Sequence, residues 1–447
     1  MIQRIAGVQA GWSLPLLLVL ACSDVTSPSP PEVLSATLSP AGPLAYTLEV
    51  TLSRPAPLTV RYGADGEPHQ LQVRSEEGTE HTLLLTRLRA GRSYSYEIGD
   101  AGHTGTFTTG PLPEDLAAIA FSASGTPTVP LVLVHLFEPD GFHGYAIVDA
   151  QGEVVWYWRA VNFPYGMTRR ANGNFVLLDH GRGLVEVTPA GAEVNLLAQD
   201  LAEREMHHDV IATPWNTLLF IAFDGRDIEG GRLLGEAIWE WTPESGTAVK
   251  RWSSWDHLSP ESDRGPRFGG EWLHANALSV GPRGNVLVSM HYLNQVISIA
   301  PDWQGLEWRL GGVNATVTLE EAVQFSGQHT AREIAEGRVL LFDNRHEPGD
   351  YSRAAEYVLK GKLATLAWEW RTPSDNFASI VSSARRLPNG HTLIGFGTSA
   401  GIVVSSGPTE VFEVTSAGTH IWHLLVSGTW IMFRAEPIWA IGAEEPA

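Results

Sequence analysis

Cysteine is nearly missing from this chain: one thiol, Cys22, in 447 residues. No disulfide can close within it, so packing and hydrogen bonding must hold the fold. Charge is sparse too, at 18% of residues, with 30 Lys and Arg against 50 Asp and Glu for a formal net charge of −20. No Lys/Arg cluster supplies the basic face that phosphate neutralisation needs, which argues against a nucleic-acid or other polyanionic partner. A small anionic substrate stays open where a local Arg or His cluster overrides the global field. Beyond Leu14 to Ala21 there is no long apolar run near the N-terminus, and that one is too short for a permanent membrane-spanning helix. The helical HExxH pattern of a zinc hydrolase is absent as well.

What is present begins with MIQRIAGVQAGWSLPLLLVLACSD, in which a basic residue and an apolar run precede Cys22. Residues 1–22 read as a secretory signal, and Val19, Leu20 and Ala21 before Cys22 resemble a bacterial lipobox, in which the cysteine carries the lipid. The alternative is an ordinary cleaved signal with a chance cysteine. TSPSPPE falls in residues 23–32, a Pro/Ser tether that would hold a globular body off a membrane. The expected location is therefore outside the cytoplasm, lipid-anchored to the cell envelope on its periplasmic or outer surface.

Sixteen Trp, 45 Gly and 28 Pro point to many short strands joined by tight turns, hence to an all-β fold. Residues 33–110 carry short alternating runs, TLEVTLS, LTVRYG, HTLLLTRL and SYSYEIG, at the spacing of a small β-sandwich that resembles a fibronectin type III module. Residues 111–129, opening on PLPEDL, read as a linker. From 130 to 447 a repeat takes over. Its first unit is an apolar strand after a turn, in ANGNFVLLDH, TPWNTLLFIAF, GPRGNVLVSMH, AEGRVLLFDNR and LPNGHTLIGFG. Its second is a tryptophan-bearing outer strand, in EVVWYWRA, EAIWEWTP, LEWRLGG, LAWEWRTP and THIWHLLV. With the partial unit GYAIVDAQGEVVWYWRA, the expectation is a six-bladed β-propeller, its last blade closed by residues around SGTWIMFRAEPIW.

An antiparallel hairpin brings its two open ends together. On that logic His208 should neighbour the segment around Asp224, His274 should neighbour His291, His329 should neighbour Arg345, and Gly166 should neighbour Asp179 and His180. In a propeller the innermost strands converge on one channel, so these ends should share one mouth. Each residue also has a plain structural reading: His208 in HHDV can be a buried hydrogen-bonded fastener, and Asp343 can pair with Arg345 or cap a turn. A cation at a dry mouth is costly without an anionic partner, which favours function for His329 with Arg345. Several histidines could instead hold zinc or copper, against which Arg345 would compete for space. The pairs Arg169–Arg170 and Arg385–Arg386 read as turn-flanking surface residues.

WLHANALS, GQHTAR with LLFDNR, SRAAEY from Ser352 and FRAEPI from Phe433 together resemble the bacterial aryl-sulfate sulfotransferases over roughly residues 130 to 440. The resemblance implies an exported six-bladed propeller that moves a sulfuryl group from an aryl sulfate to a phenol through a transient sulfohistidine, with no nucleotide donor and no cofactor. Residue by residue, it puts the histidine of an H-x-N-S-like motif on His274, that of QHT on His329, the arginine after FDN on Arg345 with Arg353 as second candidate, and a strand-end histidine on His291. One departure stands out. The family's nucleophilic histidine follows a GFG-like strand end, and here IGFGTSAGIVVSS has none; His391, His420 and His423 only flank it. Either another mouth histidine attacks, or the site persists without the full chemistry.

Sulfuryl transfer resembles phosphoryl transfer, with a loose in-line transition state stabilised mainly by positioning and charge. The expectation is that His329 and Arg345 clamp sulfate, that His274 is nucleophile or acid/base, and that His208, His291, His180 and Arg353 help bind substrate. The rival readings are a non-catalytic, lipid-anchored propeller binding an anionic ligand or protein partner, and a metal-dependent hydrolase or lyase.

Overall fold

The computed structural model describes residues 30–99, 102–201, 205–229, 231–263, 270–345, 351–397, 405–428 and 431–446. The signal, Cys22 and most of the tether lie outside these residues. None of the described helices is long and apolar enough to cross a membrane.

The protein is all-β. Near the N-terminus, strands between Val33 and Thr108 hydrogen-bond into one antiparallel sheet around the long strand Ala45–Ala64, and Glu445–Pro446 adds itself to the sheet's edge. Alternate residues of Ala45–Ala64, Leu48, Val50, Val60 and Tyr62 among them, point into a separate apolar core, as period-2 strands require.

Among the described residues the remaining chain builds six largely antiparallel sheets, each with four principal strands, and a two-stranded ladder of Phe377–Ala378 with Ser405–Ser406. Five begin with the strand nearest the centre: Pro164–Arg169, Met206–Ala212, Ala275–Val280, His329–Ala335 and Ser383–Arg386. The sixth central strand, Ile431–Ile438, comes last in the chain but completes the first sheet by pairing with Leu131–Phe137. Each of these six adjoins the next, and Ile431–Ile438 closes the ring against Ser383–Arg386 on one side and Pro164–Arg169 on the other. Most strands near the ring are buried on both faces, because every sheet is sandwiched between two others. Six apolar clusters fill the six junctions, for example Leu133, Tyr145 and Trp158 with Phe175 and Leu177 between the first two sheets.

Closure is made twice. Ala120–Gly125, expected as part of a linker, is instead a strand that extends the last sheet by pairing with His420–Ser427. Just beyond it, the buried Glu413 carboxylate accepts from Thr128 N at 2.7 Å and from the Thr128 hydroxyl, and meets His391 Nδ1 at 2.7 Å. One outer-strand expectation fails. The strand bearing Trp239 and Trp241 is third in its sheet, and Thr247–Ser253 lies outside it, because the hairpin Leu218–Ile228/Gly231–Thr242 is longer than its counterparts and carries its tryptophans inward.

Candidate functional site

Five of the six central strands slip register near their start, at Pro164/Met167, His207/Val210, Ala275/Ala277, His329/Arg332 and Met432/Ala435. Such bulges re-aim side chains at a rim. His208 and Thr330 lie within these slips, His274 precedes one, and Arg345 follows a strand end; all four hold left-handed backbone, with φ of 58°, 53°, 52° and 54°, a conformation that costs a residue with Cβ and clusters at functional sites.

The result is an unbroken run of imidazoles. His208 and His274 have ring centroids 4.6 Å apart, His274 and His291 5.2 Å, and His291 and His329 5.1 Å. The hairpin ends bring His274 and His291 together as anticipated, with His291 N donating to His274 O at 3.0 Å. Tyr165 stacks on His208 at 4.8 Å and Tyr292 on His274 at 4.7 Å. Beside Tyr165, Phe163 and Phe137 form a half-buried aromatic edge that continues to Phe433.

The histidines differ in what they can do. His274 Nδ1 lies 2.8 Å from Glu271 Oε1, and its side chain keeps 23% exposure. A carboxylate at Nδ1 fixes the tautomer, leaving the lone pair on Nε2. His208 is reached from behind: its Nδ1 sits 2.7 Å from His207 Nδ1, whose Nε2 sits 3.0 Å from Glu236 Oε2. Burial holds His207 neutral, with its pKa down to about 3, pushes His208 well below the ordinary histidine range and pushes the Glu236 carboxyl well up. With Glu236 in its protonated form, its O–H donates to His207 Nε2, which leaves His207 Nδ1–H to donate to His208 Nδ1 and places the His208 proton on Nε2.

His329 is held on both nitrogens. Nδ1 donates to Asn344 Oδ1 at 2.8 Å, and Val381 N–H donates to Nε2 at 3.3 Å. Burial lowers its pKa to about 3, so it sits neutral in the wall. Arg345 follows Asn344; its N–H donates to Ser326 O, and its guanidinium lies 4.8 Å above the Tyr351 ring.

Other expected members stand elsewhere. Asp224 does not meet His208: Met206 and His207 pair with Ala222 and Ile221, and the Asp224 carboxylate accepts from Ser253 and Lys250 instead. The two extra residues of the His207/Val210 bulge account for the offset. Arg353 is buried in its own sheet on Asp343 Oδ2 at 3.0 Å and Glu369 Oε2 at 2.5 Å. His180 faces Tyr165 at 5.5 Å and Glu205 at 3.3 Å. Arg169, Arg170, Arg385 and Arg386 are not surface residues: Arg385 is 6% exposed and ion-paired to Glu436, Arg386 to Glu356 and Arg170 to Glu186, while Arg169 donates to the carbonyls of Ala440, Ile441 and Gly442.

Sequence reasoning passed over Glu271, Glu236, Asn344, Tyr165, Tyr292 and the partnership of Arg434 with Asp209, and took His207 and Asp209 only as members of the HHDV fastener. Arg434 Nη1 donates to Asp209 Oδ1 at 2.7 Å and Nη2 to Asn276 O at 2.5 Å, while Asp209 Oδ2 accepts from Leu278 N at 2.8 Å. This pair ties three central strands directly behind the imidazoles. Among the described residues no group of three or more His, Cys, Asp or Glu converges as metal ligands would.

A model of the arylsulfotransferase (ASST) family matches residues 122–419. No match was found among curated proteins. Among solved structures, a protein of unknown function from Bacteroides caccae is 16% identical, with 70% of this chain and 100% of that chain covered and a TM-score of 0.45. A virginiamycin B lyase from Staphylococcus aureus, a catalytically inactive form with quinupristin, is 11% identical, with 69% and 99% covered and a TM-score of 0.36. At these values neither likeness carries an argument.

Proposed function

Because the chain belongs to the arylsulfotransferase (ASST) family, we propose that it transfers a sulfuryl group from an aryl sulfate to a phenol, with His274 as nucleophile and His208 as the proton carrier. The observation that carries this is the Glu271–His274 contact of 2.8 Å in an otherwise dry run of imidazoles. Of the four rim histidines, His274 alone pairs a carboxylate at Nδ1 with marked exposure. It stands in for the histidine missing after Gly397.

In the first half-reaction His274 Nε2 attacks sulfur and the S–O bond to the aryl group breaks. The departing oxygen takes the Nε2 proton of His208 and leaves as phenol. His208 Nδ1 recovers a proton from His207, and His207 Nε2 recovers one from Glu236, which becomes a carboxylate. The sulfohistidine keeps its Nδ1–H on Glu271, which offsets the ring's positive charge. In the second half-reaction the acceptor phenol gives its proton to His208 Nε2 and attacks sulfur; the N–S bond breaks and the relay refills to Glu236. Arg345 offers a planar fork to the sulfuryl oxygens. The edge of Tyr165, Phe163 and Phe137 offers aryl stacking, worth about 0.5–1.5 kcal/mol per ring pair. His329 and His291 shape the wall.

We read the six sheets as six propeller blades, the N-terminal sheet as a fibronectin type III-like module, and Cys22 as a lipid anchor for an exported enzyme. Purified protein given 4-nitrophenyl sulfate should release nitrophenol in an acceptor-dependent way and keep its rate in EDTA. His274→Ala should lower kcat by about three orders of magnitude or more. An unchanged rate in that variant sinks the nucleophile assignment. No release across a broad donor panel, with aryl sulfate still bound, moves the reading to the anion-binding module.

A further inference from the structure

Behind the imidazoles, further along the same central strands, lies a cavity of about 260 Å³. None of His208, His274, His291 or His329 lines it, and the Arg434–Asp209 pair stands between it and the rim. Its charged lining is four guanidiniums, Arg169, Arg332, Arg385 and Arg434, and two carboxylates, Asp209 and Glu436. Both carboxylates are already engaged, Asp209 by Arg434 and Glu436 by Arg385. Arg169 is satisfied by backbone carbonyls. Arg332 therefore has no acidic partner among the described residues. Arg332 Nε, Arg385 Nη1 and Arg434 Nε are buried and meet no acceptor, and the last two belong to side chains more than nine-tenths buried. Leaving several guanidinium N–H groups unmatched in a low-dielectric channel is expensive, the more so when their positive charges face one another.

We propose that this cavity is a binding site for a small inorganic oxyanion, sulfate or phosphate, held by Arg332, Arg385 and Arg434. The guanidinium fork matches paired oxygens on such an ion. A cavity of about 260 Å³ holds a tetrahedral oxyanion with several waters, each of which occupies about 30 Å³ in the liquid. The lining also carries Phe175, Leu133 and Ile438, so a free oxyanion and the sulfate group of an aryl ester are separated by experiment. The site stands independently of the transfer reaction at the rim.

Crystals of the full chain soaked in selenate, with data collected at the selenium edge, test it. An anomalous peak is expected within hydrogen-bond reach of Arg332, Arg385 and Arg434 in the wild type and in His274→Ala. In Arg332→Met the channel peak should vanish, and in Arg332→Lys, which keeps the charge but loses the fork, it should weaken. Arg332 is half-buried, so both variants should fold, and selenate should raise the melting temperature of the wild type but not of Arg332→Met. Absence of a channel peak at saturating selenate overturns the proposal, as does a peak that persists unchanged in Arg332→Met. A parallel soak in 4-bromophenyl sulfate separates the sources: bromine in the channel overturns the inorganic assignment, whereas bromine confined to the rim, or found nowhere, leaves the selenate result to decide.

Discussion

Glu236, His207 and His208 form a line of proton carriers only because three neutral groups lie in contact at 3.0 and 2.7 Å. Replacing the terminal donor with an amide keeps a donor to His207 but ends the relay's ability to refill. Glu236→Gln should therefore lower kcat by about 10²-fold, with little change in KM and a larger loss for donors whose phenols are weaker acids. A uniform loss across leaving groups would assign Glu236 a packing role instead. Glu271→Gln should likewise depress kcat, since the sulfohistidine loses its counter-charge. The histidines themselves were legible, because hairpin ends meet and the repeat says where. Their partners were not: Glu271 precedes His274 by three residues in a segment with no helical period, and Glu236 reaches His207 from a strand two removed in the sheet. Arg345 drew attention in the sequence as a cation at a strand end, whereas Arg434, one residue after Phe433, sits mid-strand and looks ordinary until three strands are seen to converge on it.

At the scale of single elements, the bulged central strands are coupled by a few buried polar groups. Arg434→Met would leave the buried Asp209 carboxylate without its ion-pair partner, at a cost of about 3–5 kcal/mol. Adding Asp209→Asn should recover part of it, which a urea-denaturation double-mutant cycle measures. Gly166 permits the close approach of its strand to Met206–Ala212, since a Cβ there would meet Asp209 Oδ1 at 2.6 Å and Val210 N at 2.9 Å. Gly166→Ala should lower stability by about 1–3 kcal/mol through a forced backbone shift. The strands were readable from turn residues and apolar runs, because both faces of each sheet are buried. Register was not, because bulges displace every later partner by one or two residues and leave no mark in composition.

Over the whole molecule, the titration of buried histidines dominates the response to acid. His135, His207 and His329 have folded pKa values lowered to about 3 by burial, so the unfolded chain binds more protons and stability falls as pH drops below the ordinary histidine value. Asp343 acts the other way: burial raises its pKa to about 6, so folding is favoured as pH falls through that value. From pH 7.5 to 5.5 the three histidines should remove about 4 kcal/mol; His208 adds to that loss, and the buried carboxyls of Asp343 and Glu236 oppose it. Urea midpoints of the wild type and of His135→Gln at the two pH values check it: the variant should lose less stability on acidification, and an equal loss would contradict the neutral state of that ring.

Closure through Ile431–Ile438 and Glu445–Pro446 also sets a schedule. The first of the six sheets lacks its central strand, and the N-terminal sheet lacks an edge, until residues 431–446 have been made. Pairings that span the whole chain are slow to form, so the polypeptide leaves the ribosome with its opening sheet unfinished and its strand edges unsatisfied. The ring of sheets stays open, and can still be threaded, until residues 431–438 have been made and paired.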